Sequence, residues 1–130
     1  MQDSKTLSFK EMCARFDVTP RTLRYYEYIE LLSPRREGRT RFYGPREVAR
    51  MILILRGRRF GFSLEEIRQW LQIYEERGSR QQYEVFLELA SRQLAVMDAQ
   101  IAEQQTIREE LRSLRDDTNR LLADVTASGG

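Results

Sequence analysis

Apolar positions recur at helical spacing in short stretches of the first half of the chain and along one long stretch of the second. The short stretches open with matching start signals. At Leu7-Ser8-Phe9-Lys10-Glu11-Met12, Ser8 is placed to cap a helix while Glu11 reaches back to its amide, and Leu7 and Met12 flank the entry as a staple. Phe62-Ser63-Leu64-Glu65-Glu66-Ile67 repeats the device, and Val18-Thr19-Pro20-Arg21-Thr22-Leu23 varies it with proline at the first helical position. Helices are therefore predicted over about 9–16, 20–28 and 64–76. Between them, Arg35 to Tyr43 places β-formers on either side of a turn at Gly38, which predicts a small hairpin. Gly44-Pro45 then starts a helix of about 45–60, apolar nearly all round from Val48 to Leu55 and so expected to be buried.

The first two helices are short and are separated by a tight turn around Asp17. Met12, Cys13, Phe16, Val18 and Leu23 supply a seam on which they can cross. That arrangement is a helix-turn-helix, whose second helix enters a major groove. Its early turns, with the Thr19 cap, offer Arg21, Thr22, Arg24 and Tyr25 as donors to phosphates or base edges. The hairpin behind it presents Arg39, Arg41 and Tyr43 as its polar tips.

From Gln81 to about Ala123 there is no proline and no glycine. An apolar seam runs Leu87, Ala90, Leu94, Met97, Ile101 in steps of three and four, slips at Gln104, and resumes as Ile107, Leu111, Leu114, Thr118, Leu121, Val125. The slip is a stammer, which overwinds a coil locally. A lone helix cannot hide such a stripe, so pairing with a second copy follows, folding back on the chain's own head being the alternative for part of it. The organisation expected is mainly α: a DNA-binding domain over 1–76, a linker at 77–80, a dimerisation helix over 81–125 and a disordered tail at 126–130.

Charge sharpens the reading. The net +2 divides into +7 over residues 1–61 and −5 over residues 62–130, which points to a polyanion as partner of the first part only. The longest apolar run, Met51 to Leu55, is far too short to span a bilayer, and the polar start at Asp3-Ser4-Lys5 lacks the core of a signal peptide, so no membrane is expected and the cytoplasm is. One cysteine, Cys13, excludes an internal disulfide, and beside Met12 and Phe16 it reads as a small buried hydrophobe. Trp70, in helical step with Ile67, Leu71 and Tyr74, reads as core. Without histidine, a clustered carboxylate pair or a phosphate loop no catalytic constellation assembles, and no metal or other cofactor is expected.

Thr22-Leu23-Arg24-Tyr25-Tyr26-Glu27, Leu31-Leu32, Arg41, Tyr43 and Gly61-Phe62-Ser63-Leu64-Glu65-Glu66-Ile67 together resemble the MerR family of bacterial transcription regulators over residues 6 to 76, and the long helix fits that family's layout. The resemblance implies a winged helix-turn-helix, a second helix-turn-helix around Ser63, and a homodimer joined by an antiparallel coiled coil. It implies Arg21, Arg24 and Tyr25 on the recognition helix, Arg41 and Tyr43 on the wing, and Arg59 and the helix start at Ser63 on flanking phosphates. It further implies a pseudo-palindromic promoter operator that is bent and untwisted to reposition elements read by RNA polymerase. The sequence departs from the family at Asp17 and Glu30, where glycines are usual, and at the wing, which reads Gly-Arg-Thr-Arg-Phe-Tyr. A similar wing occurs in regulators beside acyl-CoA and branched-chain catabolism genes. Metal-sensing members carry clustered cysteines and drug-binding members a large C-terminal domain; neither is expected in a chain that ends at Ser128-Gly129-Gly130. Two other classes share part of the pattern: an excisionase-like DNA-bending module, and a charged interaction coil.

Overall fold

Each predicted start signal begins a helix in the computed structural model, which describes residues 6–129. The polar N-terminus at 1–5 and Gly130 lie outside the described residues. The order is β1 (Leu7–Ser8), α1 (Phe9–Phe16), α2 (Pro20–Tyr28), β2 (Arg35–Glu37), β3 (Thr40–Tyr43), α3 (Pro45–Phe60), α4 (Leu64–Glu75) and α5 (Arg80–Ala127). Ser8 and Ser63 form full capping boxes with Glu11 and Glu66, and Thr19 Oγ1 accepts from the Thr22 amide. Ser79 and Gln82 make the same reciprocal pair at the start of α5. That start signal has Gln where the others have Glu, and it sets the helix one residue earlier than the spacing alone predicts. At the other end α5 continues to Ala127, two residues into the stretch read as tail.

Two compact units divide at Phe86 and Leu87. In the first, Met12, Leu23, Leu31, Leu32, Met51, Ile54, Ile67 and Leu71 are fully buried. Residues spaced by three and four on each helix face inward, and their burial is the driving force that orders these short helices. Gly57 lets α3 and α4 approach closely, since a Cβ there would stand 2.7 Å from Ile67 Cγ1. The expectation that α3 is buried all round is corrected: Ile52 is 43% exposed, and Val48 and Leu55 are only half-buried. The apolar run covers more than the one face that α4 and the sheet can cover. Phe60, Phe62, Trp70, Tyr74 and Phe86 form an aromatic cluster in which Trp70 and Phe86 stack at 6.2 Å, so Trp70 is core.

The sheet holds a strand that hydropathy did not announce. Two-residue β1 pairs antiparallel with β3, giving the order β1-β3-β2, with Leu7 opposite Tyr43 and Arg36 opposite Arg41. Gly38 takes a positive φ of 63° in the two-residue hairpin turn, where a type II′ turn places glycine. Glu47, buried at the start of α3, accepts from the Ser33 amide at 2.7 Å and so holds the turn that leads into the hairpin.

Asp17 and Glu30, the two departures from glycine, both lie at positive φ, 53° and 65°. At the end of α2 the Leu31 amide donates to the Tyr26 carbonyl and the Glu30 amide to that of Glu27, a Schellman pairing whose left-handed position is Glu30. A side chain there costs about 1 kcal/mol against glycine. Glu30→Gly is therefore expected to stabilise the head by roughly 0.5–1 kcal/mol, read as a higher denaturation midpoint at unchanged slope; a lower midpoint would show that the Glu30 side chain contributes more than its strained backbone costs.

Candidate nucleic-acid interface

The recognition helix is fixed at both ends. Its N-terminus is capped by Thr19, whose hydroxyl also donates to Thr22 Oγ1 at 3.0 Å. The turn that ends it receives guanidiniums from α3 and α4: Arg50 Nε donates to the Leu31 carbonyl at 2.7 Å and Arg68 donates to that of the C-cap Ile29. Cations at this end also favour the helix dipole. Arg50 and Arg46 in turn pair with Glu75 of α4.

So held, α2 lines a groove of about 530 Å³ with Arg21, Thr22, Arg24, Tyr25, Tyr26 and Tyr28, closed on the other side by Arg58 of α3 and Leu64 of α4. Arg21, Arg24 and Tyr25 come together there as the spacing of the helix predicts. Arg58 and Tyr28, 83% exposed, join them without having been singled out in the sequence. Arg58 stands in a run of three arginines, Arg56, Arg58 and Arg59, whose members cannot be ranked until α3 is docked against α2. Arg24, which lines the groove, also lies over the Phe9 ring of α1, 5.5 Å from its centroid.

The wing divides its four arginines. Arg35 pairs with Glu37 and lies over Phe42. Arg36 and Arg41 both reach Glu27, and Arg41 also lies over Phe9 at 5.0 Å. Among the described residues Arg39 at the turn, like Arg21, Arg58 and Arg59, has neither an ion pair nor a side-chain hydrogen bond. The placing of Tyr43 among the wing's polar tips is corrected: it is 0% exposed and its hydroxyl donates to Glu27. Burial first, then that hydrogen bond, push its phenol well above the ordinary range and keep it protonated. The reason is alternation along β3, which turns residues 41 and 43 to one face, toward α2. Arg41 is likewise largely buried and anchored rather than extended. The Ser63 hydroxyl is occupied by its capping box, accepting from the Glu66 amide at 3.1 Å. Cys13 is half-buried rather than buried, and burial raises its thiol against the opposing pull of Arg24.

An α2 front with paired-off edges and bare arginines is the surface of a regulator of a known kind. The model described as "MerR HTH family regulatory protein" matches residues 7–73, and that described as "MerR, DNA binding" matches residues 48–114. The chain belongs to the MerR family. It is 34% identical over 109 residues to the HTH-type transcriptional regulator HmrR of Rhizobium leguminosarum bv. viciae, covering 83% of each chain. With the HTH-type transcriptional regulator ZntR of Escherichia coli K12 it shares 34% over 110 residues, 82% of this chain and 76% of the relative. The fold matches that of a MerR-family regulator from Bacillus cereus with a TM-score of 0.61 at 32% identity, over 89% of this chain and 82% of that one. It also matches HiNmlR, a MerR-family regulator described as lacking the sensor domain and bound to promoter DNA, at 0.62 over 81% and 80%; at 20% identity that likeness concerns the fold. The MerR-family chain is thus a winged-helix DNA-binding transcription regulator and not an enzyme. No helix among the described residues is long and apolar enough to cross a membrane.

Proposed function

We propose that two copies pair through α5 and read a pseudo-palindromic promoter operator, one head to each half-site, bending and untwisting the duplex where RNA polymerase engages it. Bases are read by Arg24 and Tyr25 from the groove, and phosphates by Arg21, Arg39, Arg58 and Arg59. The observation that carries the reading is the separation of the arginines of residues 1–61 into anchored and bare, with the bare ones, Arg21, Arg39, Arg56, Arg58 and Arg59, at the α2 groove, the wing turn and the C-terminal end of α3. Pairing is supported by the α5 stripe: Leu87, Leu94, Ile101, Ile107, Leu111, Leu114 and Leu121 are all exposed in the single chain, and Met97 is half-buried. HiNmlR's promoter complex supports duplex DNA as the ligand of this fold. The site of action is the cytoplasm, where that ligand is.

One relative in fold, PbrR691 of Ralstonia metallidurans, is described in complex with lead. With one cysteine and no histidine, this chain does not supply a thiolate or imidazole cluster of its own, and the proposal includes no metal. The regulated genes are those a genome-wide footprint identifies, the wing string favouring acyl-CoA or branched-chain catabolism.

Arg24→Ala is the test. It is expected to weaken binding to a duplex selected from a random pool by roughly 10- to 100-fold and to flatten base preference, while the dimer persists. An unchanged footprint on that duplex would remove Arg24 from base reading.

A further inference from the structure

Glu27 is not among the residues that line the groove, yet its carboxylate is where the recognition helix and the wing are joined. The side chain is 6% exposed. Its Oε1 accepts from Arg41 Nε at 2.9 Å and from Arg36 at 3.4 Å, and its Oε2 accepts from the Tyr43 hydroxyl. One carboxylate on α2 therefore receives three donors from both strands of the hairpin. A buried carboxylate is tolerable only when its lone pairs are satisfied, and removing it strands the donors in turn. The hairpin is short, with three residues in β2 and four in β3; β3 is also held by its pairing with β1 and by the burial of Tyr43, and what Glu27 adds is the link from both strands to the recognition helix.

We propose that Glu27 is a positioning residue that fixes the angle between recognition helix and wing, so that Arg39 reaches the phosphate backbone only while Glu27 holds the hairpin. The same carboxylate decides which wing arginines are structural, taking Arg36 and Arg41, and which one is left for DNA. The proposal rests on the DNA-binding reading above.

The full chain with Glu27→Gln, with Arg39→Ala and with both is titrated against the duplex that the unaltered protein selects from a random pool, and against a scrambled duplex. Glu27→Gln is expected to weaken binding about tenfold, with the selected-to-scrambled ratio kept within about twofold, because α2 still reads its bases. Arg39→Ala is expected to cost about fivefold in the native background and less than about twofold beside Glu27→Gln, since a released wing has no contact left to lose. Hydrogen exchange of the free proteins is read alongside: amides of 35–43 lose protection in Glu27→Gln while those of α3 and α4 keep theirs. Equal Arg39→Ala costs in both backgrounds, or full wing protection without Glu27, would overturn the proposal. If Glu27→Gln does not fold, Arg41→Gln, which removes one donor and leaves the carboxylate paired to Tyr43, takes its place in the same comparison. If the unaltered protein selects no duplex, the DNA reading itself fails, and the exchange experiment still decides whether Glu27 holds the wing.

Discussion

Binding to the selected duplex is expected to weaken about ten-thousand-fold between 50 and 200 mM monovalent salt, with a log–log slope of about −7. The size follows from which arginines are bare. Residues 1–61 carry 14 lysines and arginines, but ion pairs remove many of them from the phosphate-contacting set, and Arg24 is assigned to bases. Arg46 and Arg50 are paired with Glu75, Arg36 and Arg41 with Glu27, and Arg35 with Glu37. Arg21, Arg39, Arg56, Arg58 and Arg59 remain without an ion pair or ring contact; the four assigned to phosphates above make about eight ligands on a dimer, and each neutralised phosphate releases close to one counterion. Fluorescence anisotropy across a salt series reads the slope. A slope near −11 would mean that Arg36 and Arg41 leave Glu27 to join the backbone, contradicting their anchored role. A slope shallower than about −4 would mean that a single head engages the DNA.

That distinction between bare and anchored arginines separates what the sequence made legible from what it did not. Helix starts were legible because a capping box is local: Ser8 with Glu11 and Ser63 with Glu66 need only a four-residue window, and the structure forms both. Asp17 and Glu30 stand out only through the family resemblance, which has glycine at both, and the structure places both at positive φ. The long helix was legible from its unbroken run. Pairings that cross the chain were not. Arg41 and Tyr43 are polar residues on a predicted hairpin, and in one dimension nothing separates them from Arg39. Only the docking of β3 against α2, 14 and 16 residues away in sequence, shows that two of the three face Glu27. The signal available was Glu27 itself, a lone carboxylate in an α2 that otherwise carries only arginine charges. β1 escaped notice for a related reason, since two residues hold no period and their strand character comes from the partner that Phe42 and Tyr43 provide.

Leu94→Asp with Leu111→Asp is expected to convert the dimer to a monomer of 15.5 kDa by light scattering and to weaken operator binding about a thousandfold. Both side chains lie on the α5 stripe, and Leu111 is 65% exposed in the single chain. A stripe of this length left in water forfeits its burial energy, so a second copy is the natural cover. Placing a carboxylate at each site opposes pairing twice, because two charges would enter an apolar seam without partners. The loss in DNA affinity then comes from valency: one head tethered to another at a fixed span meets its second half-site at high effective concentration, and a lone head does not. The head itself should be unaffected, so near-ultraviolet dichroism from Trp70 and its ring neighbours stays as it was, with Ser91→Asp and Ser113→Asp, off the stripe, as charge-matched controls. If the stripe instead folds back on its own head, the mass stays the same in the variant and the dichroism changes. That result would end the two-headed reading, because one copy would then be reading DNA alone.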